Sequence, residues 1–113
     1  MNRGEIWLIN LDPTIGSEIR KIRPAVIVSH DAIGILPLKV VVPITDWKQR
    51  YHKVPWMVHI APNSDNNLQK VSAFDTFQIR SVSHQRFVRC LGTIDEIMTR
   101  RIKNALKRVL DIE

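Results

Sequence analysis

One cysteine, Cys90, is all the thiol chemistry that this 113-residue chain possesses. A single thiol excludes an internal disulfide framework and a cysteine-based zinc site, and it suits a reducing compartment. Glycine is scarce as well: the four residues stand alone at positions 4, 16, 34 and 92, so no Gly-rich loop exists to cradle a phosphate. No histidine pair has helical metal-ligand spacing, and no serine lies in a nucleophile elbow. Long hydrophobic runs are also missing. The most apolar window, Ile33 to Ile44, is interrupted by Lys39 and two prolines, so no membrane span is expected. The apolar run after Met-Asn-Arg-Gly-Glu contains Asn10 and is too short and polar for a signal peptide. A cytoplasmic protein with no metal and no cofactor is the expectation.

What is present begins with charge. Seventeen Lys and Arg against 11 Asp and Glu give +6 and a pI near 10.0, which points to a polyanionic partner. The length suits one domain, 1–113, and the 44% hydrophobic content is enough for one core.

Glu5–Leu11, Ala25–Ser29, Lys39–Thr45 and Met57–Ile60 read as strands, from their β-branched and aromatic content and the turn residues that bound them. Val71–Phe74 and Phe77–Val82 read as further strands, and Phe87–Leu91 as the last. The loop after the second strand holds His30, Asp31, Gly34 and Pro37, and Pro43 suggests an edge or a bulge in the third. Ser83 is placed to cap a helical turn. Thr93-Ile-Asp-Glu96 has capping-box spacing. Behind it Ile97, Met98, Ile102, Ala105, Leu106, Val109 and Leu110 recur at helical period, with Arg100, Arg101, Lys103, Lys107 and Arg108 on the other side. Six or seven short antiparallel strands and a C-terminal amphipathic helix imply a mainly β (α+β) fold, a small barrel or a strongly bent sheet.

Two stretches are suited to nucleic acid. The loop Gly16-Ser-Glu18-Ile-Arg20-Lys21-Ile-Arg23 carries cations whose donors match phosphate oxygens. Pro24 stiffens the backbone directly behind Arg23. Alternatively, this is a solvated loop in which Glu18 pairs with Arg20 or Arg23. From Asp46 to Trp56, rings and cations interleave: Trp47, Lys48, Arg50, Tyr51, His52, Lys53 and Trp56. Such a segment can stack bases while tracking a backbone, or the two tryptophans can anchor it to the sheet. Phe77 is either a stacking ring or core. His52 and His84 are candidate proton-transfer groups or structural histidines.

Arg3-Gly-Glu-Ile-Trp, Asp12-Pro13, Gly16-Ser-Glu18, Arg23-Pro-Ala-Val-Ile-Val-Ser29, Val41-Val-Pro-Ile-Thr45, Gln78-Ile-Arg80-Ser-Val, Arg86-Phe87 and Leu91-Gly92 occur in order. In these pieces the chain resembles the MazF/PemK family of toxin endoribonucleases. The resemblance implies an SH3-like barrel of the CcdB/MazF type that acts as a homodimer and is neutralised by a cognate antitoxin. It also implies metal-independent cleavage of single-stranded RNA, leaving a 2′,3′-cyclic phosphate and a 5′-hydroxyl. By motif position the family's catalytic Arg falls on Arg23, its catalytic Thr on Thr45, and the Glu of the first loop on Glu18. Arg20, Lys21, Trp47, Lys48, Arg50, His52, Lys53, Phe77, Gln78 and Arg80 are the expected RNA contacts. Many relatives have an acidic residue directly before that Gln; here Phe77 occupies the position and Asp75 stands two earlier. In a strand, Asp75 and Phe77 share a face and Gln78 points the other way, so Asp75 and Gln78 are not expected to pair. Two other readings keep the fold: a CcdB-like gyrase poison, whose Trp-Gly-Ile tail is replaced here by Leu110-Asp-Ile-Glu113, and a non-catalytic RNA-binding module.

Overall fold

A computed structural model describes residues 1–32 and 36–113; Gly34, expected in the loop after the second strand, lies outside the described residues. Seven strands precede one helix: β1 (Glu5–Asn10), β2 (Ile22–Ile27), β3 (Leu38–Asp46), β4 (Met57–Ile60), β5 (Ser72–Asp75), β6 (Arg80–Ser83), β7 (Phe87–Thr93) and α1 (Glu96–Val109). Short 3₁₀ turns cover Gln49–Lys53, Thr76–Gln78 and His84–Arg86. All strand pairs are antiparallel, in the order β4-β5-β3-β2-β1-β7, with β6 also on β3. The fold is mainly β, as expected, but among the described residues the strands form an open, bent sheet and do not close into a barrel.

Two prolines explain the bend. Val28 N donates to Val40 O at 2.9 Å, so alternate pairs along β2 and β3 exchange bonds: Val26 with Val42, then Pro24 with Ile44. Pro24 has no N–H to give, and the β2–β3 ladder ends at the Ala25–Pro43 pair. On its other edge β3 meets β5 from Ile44 to Asp46, and there the missing N–H of Pro43 stops the ladder in turn. Between the Ile44–Phe74 and Val41–Arg80 pairs β3 has two residues, whereas the opposing chain has five, Asp75 to Ile79. The surplus forms the Thr76–Gln78 turn. The expected single strand Phe77–Val82 is therefore corrected to a 3₁₀ turn followed by β6. Pro43 is buried in a central strand and faces this interruption, so it marks no sheet edge.

Each face of the sheet carries a core. Ile6, Val26, Val42, Ile44, Val58, Ile60 and Phe74 pack with Ile102 and Ala105 of α1. On the opposite face Ile9, Leu11, Ala25, Ile27, Val41 and Val82 pack under Trp7, Ile19 and Phe87. The helix cap is Asp95, whose side chain accepts from Met98 N at 2.8 Å; Thr93 instead ends β7. Ile97 and Leu110, placed on the buried stripe by periodicity, are exposed because they flank it on opposite sides. No helix of the described residues is long and apolar enough to cross a membrane.

The loop between β4 and β5 is fixed by Asn66, which is fully buried. Its Oδ1 accepts from Asn63 N and Leu68 N at 3.0 and 2.9 Å, and its Nδ2 donates to Ala61 O at 3.0 Å. β7 runs so close to this loop that a Cβ on Gly92 would sit 2.0 Å from Asp65 O. Asn66→Ala leaves two backbone N–H groups and one carbonyl without partners, so a loss of about 2–4 kcal/mol is expected, read as a lower urea midpoint with unchanged slope.

Candidate active site

The fork opened by Pro24 lies between the strand ends that carry Arg23 and Thr45. Ala25 pairs with Pro43, and two residues further along each strand Arg23 and Thr45 lie on the face that this pair shares, past the end of the ladder. Beyond this point β2 stays with β1 while β3 turns away with β5, so no ladder bond fills the space between them. Arg23 Nε donates to Arg20 O at a long 3.4 Å. Among the described residues no carboxylate forms an ion pair with Arg20, Lys21 or Arg23. The suggested pairing of Glu18 with Arg20 or Arg23 is accordingly absent there, and Glu18 Oε1 accepts from Ile15 N at 2.8 Å.

The first loop lies over this face because several side chains hold it. The Gln78 amide accepts from Ile19 N at 2.6 Å and donates to Ser17 O at 3.2 Å. Arg80 Nη1 donates to Leu11 O at 3.2 Å, and Arg86 Nη1 donates to Asn10 O and Asp12 O. Lys21 turns the chain back into β2 with φ +70, in the left-handed region that costs a non-glycine residue about 1–2 kcal/mol. Between loop and sheet lies a cavity of about 510 Å³ lined by Glu18, Pro43, Phe77, Gln78 and Arg80. Phe77 is 63% exposed at its rim, tilted against Trp56 with 5.5 Å between ring centroids.

Trp47 continues β3, with its N–H donating to Val71 O at 3.0 Å. Its ring is half-buried and meets Tyr51, His52 and His59 edge-on, at 5.7, 5.2 and 4.8 Å. This ring anchors the Gln49–Lys53 turn to β4. Lys48, Arg50, His52 and Lys53 are exposed around it, and Arg50 lies 5.5 Å from the Tyr51 ring. His84 sits far along the chain beside Phe87, outside this group.

Asp75 and Gln78 were expected to point apart; the 3₁₀ turn between them reverses that. Asp75 caps the turn, accepting from Phe77 N at 3.2 Å. Burial is the largest influence on its carboxyl and raises it above the usual aspartate range, against hydrogen bonds from the Phe77 and Gln78 backbone and the Gln78 side chain. An Asp placed to accept from a nearby backbone N–H is the sequence signal for such a turn. The roles of Asn66 and of Pro24 in ending a ladder carry no such local signal, whereas Pro43 reads from the sequence as an edge or a bulge and stands opposite the surplus residues Asp75 to Ile79. Among the described residues, no group of three or more His, Cys, Asp or Glu is placed to hold a metal ion.

A model of the PemK-like, MazF-like toxin of type II toxin–antitoxin systems matches residues 2–110. The chain is 33% identical to endoribonuclease MazF9 of Mycobacterium tuberculosis, over 99% of this chain and 98% of that one. It is 30% identical to endoribonuclease MazF of Staphylococcus saprophyticus, over 94% and 88%. Among solved structures, MazF from Deinococcus radiodurans superposes with a TM-score of 0.81 at 21% identity, covering 99% and 97%. A mycobacterial endoribonuclease in complex with its cognate antitoxin gives 0.78 at 21%, covering 100% and 97%.

Two outcomes test the scaffold. Gln78→Ala should raise amide hydrogen exchange at Ile19 severalfold and cost about 1 kcal/mol of stability, as expected for one hydrogen-bonding side chain. Because the folded chain holds the Asp75 proton more tightly than the unfolded chain, stability falls as pH rises from the ordinary aspartate range to the raised one. Asp75→Asn should remove that part of the fall in urea titrations run from about pH 3 to 7.

Proposed function

This chain belongs to the PemK-like, MazF-like toxin family of type II toxin–antitoxin systems, and on that premise we propose that it cuts single-stranded RNA without a metal ion. The observation that supports the reading is the register of β2 and β3, which, continued two residues past the Ala25–Pro43 pair, sets Arg23 against Thr45 across an unbonded fork. The ribose 2′-oxygen attacks phosphorus, the bond to the 5′-oxygen breaks, and the products are a 2′,3′-cyclic phosphate and a 5′-hydroxyl.

Arg23 answers the charge that builds on the non-bridging oxygens. Its guanidinium is free of competing carboxylates among the described residues. Thr45 hydrogen-bonds the phosphate or the 2′-hydroxyl and fixes the in-line geometry. Glu18, in the adjoining cavity, takes the 2′-hydroxyl proton, and the leaving 5′-oxygen takes a proton from solvent water. Arg20, Lys21, Lys48, Arg50, His52 and Lys53 are exposed and guide the RNA backbone, while Phe77 offers a ring for an unpaired base. Trp47, Gln78 and Arg80 serve the RNA less directly, by holding the loops that line its path.

The chain acts as a homodimer, as its resemblance to the family implies, and is neutralised by a cognate antitoxin, the latter supported by the description of the mycobacterial neighbour. The curated relatives are named endoribonucleases, which favours this activity over gyrase poisoning or RNA binding without catalysis.

Incubated with a long single-stranded RNA in EDTA, the wild type should cut at short defined sequences and leave cyclic-phosphate ends. Arg23→Ala should lower the rate by about 10²–10³-fold, the loss typical of one preorganised oxyanion donor. Thr45→Val should lower it by about 10–10²-fold. Full cleavage by the Arg23 variant, or dependence on a divalent ion, would contradict the assignment.

A further inference from the structure

The fork has a second side. Arg23 and Thr45 lie on one face of the sheet, so their neighbours Pro24 and Asp46 lie on the other. There a separate cavity of about 420 Å³ is lined by Pro24, Asp46, Leu68, Gln69, Lys70 and Arg89, among others. Its size is within the range of small-ligand sites, about 300–1,000 Å³. Its lining alternates apolar surface with hydrogen-bonding groups. Because β2 and β3 are unpaired beyond Ala25 and Pro43, no ladder hydrogen bond separates the two sides at this level.

Across its mouth Lys70 Nζ approaches Asp46 Oδ2 at 3.8 Å, with the side chains 71% and 60% exposed. An ion pair this open contributes little and is easily exchanged for other partners. Asp46 extends directly from Thr45, and Lys70 follows the loop that Asn66 makes rigid, so the backbone sets both side chains beside the fork while their charged ends stay free to exchange partners. A carboxylate and an ammonium side by side match one base edge best. Guanine offers the N1–H and N2–H donors to a carboxylate and the O6 acceptor to an ammonium.

We propose that this groove is a base-reading subsite, in which Asp46 and Lys70 bind the Watson–Crick edge of a guanine directly flanking the scissile phosphate. The phosphate stays on the Arg23 and Thr45 side while its neighbouring base passes through the fork, and Leu68 and Pro24 supply the apolar walls. Asp46 and Lys70 are specificity residues here, distinct from the groups that act on phosphorus. The inference rests on the ribonuclease reading above.

The test digests a randomised single-stranded RNA pool with wild type, Asp46→Asn and Lys70→Met and sequences the ends. Wild type should prefer guanine at one position next to the cut. Each variant should lose about ten- to hundredfold of that preference at that position alone, with unchanged Tm, the discrimination typical of one well-formed base contact. Both side chains are exposed, and if one variant fails to fold the other gives the same reading. Wild-type cleavage with no guanine preference beside the cut, or variant profiles identical to the wild type, would overturn the groove assignment and leave the ribonuclease reading standing. No cleavage by the wild type would overturn both.

Discussion

Two missing backbone N–H groups shape this molecule. Pro24 ends the ladder between β2 and β3, and Pro43 ends the ladder between β3 and β5 one register step away on the opposite edge. Since β3 is paired on both sides at Val41 but from Ile44 onward keeps only β5, the sheet bends there and the strands diverge. Everything proposed for catalysis lies around that divergence. Arg23 and Thr45 would be an ordinary cross-strand pair if the ladder continued, and the site would be filled by its own backbone bonds. Interrupting the ladder leaves two polar side chains facing an open gap on a rigid framework, the preorganisation that electrostatic catalysis requires.

The first loop depends on the same interruption. The residues displaced from the ladder opposite Pro43 form the Thr76–Gln78 turn, which carries Gln78 to the backbone of Ser17 and Ile19. Arg80 and Arg86 add bonds to the carbonyls of Asn10, Leu11 and Asp12. A loop with three cations would be expected to wander under its own repulsion; here it is held from below by side chains of β6 and of the turns on either side of it. The net charge of +6 is thus spread over exposed arms, while the residues that fix the loop are partly buried.

The sequence was legible where one rule acted alone. β-branched runs located the strands, helical period located α1, and ordered motifs placed Arg23 and Thr45 at the ends of β2 and β3. It was less legible where a local device overrode a period. Alternation applied through Phe77 put Asp75 and Gln78 on opposite faces, yet the capped 3₁₀ turn draws them together. Thr93 and Glu96 had capping-box spacing, but Asp95 is the cap because β7 continues through Thr93. Ile97 and Leu110 satisfied the apolar stripe only at its margins. The groove beside Asp46 and Lys70 left no trace in the motifs, because it arises from the meeting of β3 with a loop more than twenty residues away.

The proposed cleavage depends on Arg23 and Thr45 acting together on one phosphate. A double-mutant cycle of Arg23→Ala and Thr45→Val on a cleavable oligonucleotide, under single-turnover conditions, tests this most directly. The predicted result is strong coupling, with the double variant little slower than Arg23→Ala alone and an interaction energy of about 1–3 kcal/mol. Effects that simply multiply would show the two side chains working independently and would contradict the shared site at the fork.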